Sequence, residues 1–108
     1  MNSVAIIILF LSGLVLTVGD VVLKYWVDKG QNYHSLLYII GVFTYLVGSL
    51  LLVESYKHDV NIAIAGILQI VFNTIILILF TYLFFKEPLT AKQIIGIFVG
   101  VFSIYLLI

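Results

Sequence analysis

Cysteine is absent from the 108 residues, proline occurs once, and charged side chains make up only 9% of the chain against roughly 25% in a soluble domain. Each shortage excludes something. Without cysteine there is no disulfide framework, no thiolate zinc site and no cysteine nucleophile. One proline and eight glycines exclude collagen-like and low-complexity classes. Five basic and five acidic residues cancel, which removes the case for nucleic acid or for a polybasic grip on anionic lipid. What is present instead is apolar: 64% of the residues are hydrophobic, too many for a water-soluble fold or a disordered chain. Composition therefore points to an integral membrane protein in contact with the lipid bilayer.

A membrane-crossing helix needs about 20 mostly apolar residues, because each adds roughly 1.5 Å towards about 30 Å of hydrocarbon. Four stretches fit, at about residues 4–27, 36–53, 61–85 and 91–108. The expected fold is all-α, a polytopic bundle of four transmembrane helices forming one domain over residues 1–108. The connections are short, so neighbouring helices run antiparallel. Residues 28–35 (DKGQNYHS) carry Gly30 and Asn32 as breakers, residues 54–60 (ESYKHDV) form a charged turn, and residues 86–90 (KEPLT) hold the proline. Pro88 stops the third helix from continuing into the fourth, for which Thr90 is a natural N-cap. The leading MNS has no Lys or Arg, the apolar run after it is too long for a signal-peptide core, and no A-x-A site follows, so it is read as the start of the first span. Tyr25, Trp26, Tyr33, Tyr56, Tyr82, Phe84 and Phe85 fall near span ends, where aromatic rings anchor helices at the interface. A cation-binding aromatic box is the alternative for the same residues. Lys24, Lys29, Lys86 and Lys92 lie on the side of the first and third loops and Lys57 alone on the other, which places those loops in the cytoplasm and both termini outside.

Asp20 stands out because it lies inside the first apolar run, where a carboxylate costs about 2.5–3.5 kcal/mol on insertion scales. A carboxyl group in apolar surroundings holds its proton more tightly, and one that exchanges it near neutral pH can alternate between proton and cation. The competing reading is structural: Lys24, four residues on, forms a pair that makes both charges tolerable. Gly13, Thr17, Asp20 and Lys24 recur at intervals of four or three and share a face that cannot point at lipid without penalty. Gln69 and Asn73 make a second polar stripe on the third helix, with Gly66 and Ile62 before them. Interhelical hydrogen bonding and ligand contact are both open to these amides. The proton- and substrate-binding candidates are therefore Asp20, Thr17, Lys24, Gln69 and Asn73. Helix 2 sets Tyr38, Gly41, Tyr45 and Gly48 on one side for close packing. Gly96, Gly100 and Ser103 form a small-residue strip on the last helix, a candidate dimer contact. His34 and His58 stand singly in loops, and no phosphate loop or ligand cluster is visible, so neither an enzyme, a cofactor nor a metal is expected.

The stretch FFKEPLTAKQIIGIFVGVFSIYLL, residues 84–107, resembles the closing hairpin of the drug/metabolite transporter superfamily. Four helices in so short a chain resemble its smallest members, the small multidrug resistance transporters and single-domain EamA-like relatives. The resemblance implies a dimeric transporter of the cytoplasmic (inner) membrane, working by alternating access, in which a helix-1 acid binds protons and a small cationic or amphipathic substrate in turn. It also implies a homodimer, antiparallel in preference, with a parallel dimer or a heteromer with a related chain as the alternatives raised by the lysine bias. The sequence departs from the multidrug members. When Lys24 is matched to the lysine that closes their first helix, their essential Glu falls at Leu16 and Asp20 lies one turn further on. Their Gly-x-Gly kink is missing from AGILQIVFN, residues 65–73. Asp20 instead stands where subunits of an aminoarabinose-lipid flippase, also relatives, carry Gln. A flippase subunit for a lipid-linked sugar, with Asp20, Lys24 and Gln69 on the head group, is therefore the second expectation. A non-transporting membrane subunit is the third.

Overall fold

A computed structural model describes residues 3–84, 86 and 88–108. It contains helices α1 (Ser3–Asp28), α2 (Leu36–Ser55), α3 (Ile62–Phe84) and α4 (Ala91–Leu107), with a short 3-10 turn at Tyr56–His58 after α2. Among the described residues there is no strand. The protein is an all-α membrane protein, and the helix limits fall within two residues of those expected, except that Phe85 and Glu87 lie outside the described residues. Helices α1 and α3, and α2 with its 3-10 turn, are long and apolar enough to cross a membrane. At 17 residues α4 is shorter, about 26 Å, the low end of a spanning length.

At the starts of α2, α3 and α4 a polar side chain receives a free backbone N–H. Ser35 accepts from Leu37 N at 3.2 Å, and Asn61 Oδ1 accepts from Ala63 N at 2.8 Å. Thr90 caps α4 as expected and does so in a reciprocal box: its hydroxyl accepts from Gln93 N at 3.2 Å while the Gln93 side chain accepts from Thr90 N at 2.9 Å. After α1 the chain turns through Gly30, whose φ of 112° is one that residues with a side chain rarely adopt.

α1 is the central element, flanked by α2 on one side and α3 on the other, and α4 touches only α3 closely. Lipid offers no hydrophobic drive for helices to associate, so small residues set how near they come. Gly41 receives Leu23, Gly48 receives Leu16, and the Tyr45 ring lies over Gly19. The helix-2 strip thus packs as the sequence suggests. Gly13 sits against the α3 backbone at Phe72 and Asn73. Leu9, Ala65, Leu68 and Phe72 form the buried apolar cluster between α1 and α3. Large apolar side chains remain exposed on all four helices, an unfavourable surface in water and an ordinary one against lipid.

Trp26 departs from the anchoring role. It is buried, its indole N–H donates to Asn32 O at 2.8 Å, and its ring packs on Tyr33 and Tyr38 with centroids 5.3 and 4.8 Å away. These three rings pack on one another and knot the first loop, so they are engaged with each other. Tyr25, Tyr33, Tyr56, Tyr82 and Phe84 are exposed, as anchors require.

Candidate functional site

Apart from Ser55, whose hydroxyl donates to Leu52 O, the buried polar side chains belong to two clusters, one on each side of the α1–α3 crossing at Gly13. In the first, the Ser12 hydroxyl donates to Gly48 O at 2.7 Å and accepts from Gln69 Nε2 at 2.8 Å, with Gly48 O 3.4 Å from the same amide. All three residues are buried. This cluster ties α1, α2 and α3 together, and it gives Gln69 the interhelical bond that its position suggests. Ser12 is the joint, and the sequence reading passed over it. The signal was Gly48 in the helix-2 strip, which brings a backbone carbonyl close enough for a small hydroxyl on α1 to reach.

In the second cluster, Thr17 Oγ1 lies 3.0 Å from Asn73 Oδ1, 3.3 Å from Asn73 O and 3.0 Å from Gly13 O one turn back on its own helix. A hydroxyl has one proton, so these acceptors share or alternate for it. The Asn73 side chain also lies beside Asp20. Asp20, Thr17 and Asn73 are therefore brought together, while Gln69 stands apart with Ser12.

Past Asp20, α1 and α3 part around a cavity of about 410 Å³, lined by Asp20, Val21, Lys24, Tyr25 and Asp28 from α1 and by Leu77, Ile78 and Thr81 from α3. Its walls are mostly apolar and its charges all belong to one row on α1. Within that row Lys24 pairs with Asp28, Nζ to Oδ1 at 3.2 Å, and not with Asp20. The Asp20–Lys24 pair of the competing structural reading is thus replaced by one nearer the helix end. The reason is access to water, since a long cationic side chain extends to the interface when it can. Asp20 consequently faces the cavity beside Asn73, and among the described residues no ion pair forms on it. Leu77 and Thr81 were also passed over by the sequence reading, although they continue the Gln69–Asn73 stripe at intervals of four.

The small-residue strip of α4 divides. Gly100 faces α3 of its own chain, where an added Cβ would lie 3.4 Å from Ile75 Cδ1, whereas Gly96 has nothing within 4 Å. Ser103 is half-buried. His34 and His58 remain in loops, and among the described residues no three of His, Asp and Glu come together as a metal would require.

A sequence model of the EamA-like transporter family matches residues 1–108. No curated protein matches the chain.

Proposed function

The chain belongs to the EamA-like transporter family, and on that premise we propose that it moves a small cationic or amphipathic metabolite across the cytoplasmic membrane in exchange for protons, by alternating access in a dimer. The observation that carries the reading is the position of Asp20. It is an intramembrane carboxyl group at the inner end of a mostly apolar cavity, with Lys24 held away by Asp28. A carboxylate of this kind binds either a proton or an organic cation, and an apolar wall of Val21, Leu77 and Ile78 accepts the body of the cation. Thr17 and Asn73 position it from the other side. Such an arrangement exchanges one charge for another without adding net charge to the membrane interior.

The dimer is argued from packing. The cavity lies at one end of α1 and α3, and the Ser12–Gln69 tie and the Gly13 crossing close the way beyond it. A way closed at that point within one protomer makes alternating access call for a second. Gly96, on an open face of α4, supports a contact between protomers, whereas Gly100 is taken up by Ile75 of its own chain. An antiparallel homodimer follows the family resemblance. A parallel dimer, or a heteromer with a related chain, follows the excess of lysine on one side. Single cysteines at His34 and His58 distinguish them: both positions label in part from outside intact cells if the chain inserts both ways, and only position 58 labels if its orientation is fixed.

The test of transport is proton flux driven by a cation gradient in proteoliposomes. Wild type is expected to show it and Asp20→Asn to lose it; equal flux in both refutes the reading. A second reading, a flippase subunit for a lipid-linked sugar, draws support from the row of Asp20, Lys24 and Asp28, which suits a zwitterionic head group in a cavity that is open on one side. Transbilayer movement of a labelled lipid without cation-driven proton flux would select it.

A further inference from the structure

Lys24 occupies a place that the exchange reading leaves without a task. It stands four residues after Asp20 and four before Asp28, so the three charges form one row on the face of α1 that borders the cavity. Its ammonium rests on Asp28 at 3.2 Å, with both side chains largely exposed. Two preferences act on it in opposite directions. An acid placed four residues before a lysine is the better order in a helix, which favours Asp20. Access to water at the end of the span favours Asp28. Side chains on a helix lean towards its N-terminus, so the turn that holds Asp20 is also within reach of Lys24 when it leaves Asp28.

Little else competes for it. Among the described residues, α3 brings Leu77, Ile78 and Thr81 to the cavity, none of them titratable, and α2 lines no part of it. On α1 the remaining titratable neighbour is Tyr25, whose ring faces Lys29 at 5.1 Å from ammonium to centroid. Among the charged residues that line the cavity, Asp20 and Asp28 are therefore the two acids one turn from Lys24.

We propose that Lys24 is a tethered occupant of the Asp20 site, resting on Asp28 while Asp20 holds a proton or a substrate cation and turning to Asp20 when that site empties. The proposal deepens the exchange reading and rests on it. An emptied Asp20 is then not left as an unpaired charge in apolar surroundings, the costliest of its states. The tether also sets a condition on the substrate. A lysine side chain is an alkylammonium on a leash, so a ligand must outcompete one. Contact with Val21, Leu77 and Ile78, which the tether does not need, is what such a ligand can add to its bond with the carboxylate.

The experiment uses the full chain in liposomes, with tetraphenylphosphonium as the probe cation. Asp28→Asn removes the resting place, sends Lys24 to Asp20 and is expected to weaken probe binding about tenfold. Lys24→Gln removes the competitor and is expected to tighten binding, and the double variant is expected to bind like Lys24→Gln. A salt bridge that merely holds the helix would weaken both single variants alike. Equal losses in the two, or a double variant as weak as Asp28→Asn, overturn the tether. A second measurement needs no probe: solid-state NMR distances from the Lys24 ammonium nitrogen to the Asp20 and Asp28 carboxyl carbons, without ligand, at pH 5 and pH 8.5. Contact with Asp20 that grows at the higher pH is expected, and contact with Asp28 alone at both overturns the proposal. If Asp20→Asn binds the probe as wild type does, the exchange reading fails, and the NMR distances still decide the tether.

Discussion

A methyl group added at Gly13 would lie 2.8 Å from Asn73 N, 2.8 Å from Phe72 Cβ and 3.1 Å from Phe72 C. Two of these three atoms are backbone, so no side-chain rotation relieves the contact. Carbon atoms pack at about 3.5–4.0 Å, so Gly13→Ala requires α1 and α3 to part by roughly 0.7 Å at this point. Thr17 is one turn away, and the same displacement carries its hydroxyl from 3.0 Å to a separation at which a hydrogen bond to Asn73 Oδ1 no longer forms. Overfilling of this kind costs about 1–3 kcal/mol, the lost interhelical bond adds about 0.6, and the better helix propensity of alanine returns up to about 1. The net expectation is a loss of about 1–3 kcal/mol. Trp26, the single tryptophan, reports unfolding in mixed micelles titrated with a denaturing detergent. Gly66→Ala is the control, because a Cβ there meets nothing within 4 Å and should leave stability unchanged or slightly raised. Probe binding at Asp20 should fall with Gly13→Ala alone, since Asn73 moves with α3. A Gly13→Ala protein as stable as the Gly66→Ala control, with binding intact, would refute the crossing as the element that sets the site.

Other expectations follow from the same contacts. Ser12→Ala removes both bonds of the three-helix tie, leaves Gln69 Nε2 with Gly48 O at 3.4 Å, and should cost about 1–2 kcal/mol in the same titration; a loss below about 0.3 would show that the tie is not structural. Thr90→Ala breaks the capping box and should lower helix stability by about 1 kcal/mol, seen as faster amide exchange at Gln93 and Ile94 with the rest of the protein unchanged. Gly96→Leu should reduce crosslinked dimer without preventing insertion, while Gly100→Leu should instead disturb the packing of α4 on Ile75 of its own chain. Unchanged dimer in Gly96→Leu would move the interface off this face.

The helices and their ends were legible because apolar run lengths and breakers are local. Pro88, Thr90 and Asn61 each act within a few residues, and the membrane fixes the span length. The site was legible in part. Thr17, Asp20 and Asn73 show in sequence as polar residues on apolar helices, and periodicity places each on its own face. Which partner each takes depends on how α1 and α3 cross, and Gly13 sets that through a backbone contact invisible in one dimension. Ser12 was missed for this reason: its partners are a carbonyl on α2 and an amide on α3. The exchange of Asp20 for Asp28 as the partner of Lys24 was missed for another. Helix spacing allows both, and only the distance to water separates them.

The close approach at Gly13 makes α1 and α3 a pair of levers with a common fulcrum. Asp28 stands 15 residues beyond it, an arm of about 22 Å. A rotation of about 5° around the crossing therefore moves that end by roughly 2 Å, more than the radius of a water molecule. The same rotation shifts Thr17, about 6 Å from the fulcrum, by only about 0.5 Å. The long arm amplifies what the short arm scarcely registers. Because the Trp26, Tyr33 and Tyr38 rings knot the far end of α1 to α2, a rotation of α1 would carry that end of α2 with it. Bilayer thickness and lateral pressure, which push on helix ends, have more leverage over the mouth of the cavity than any force of the same size applied at its floor.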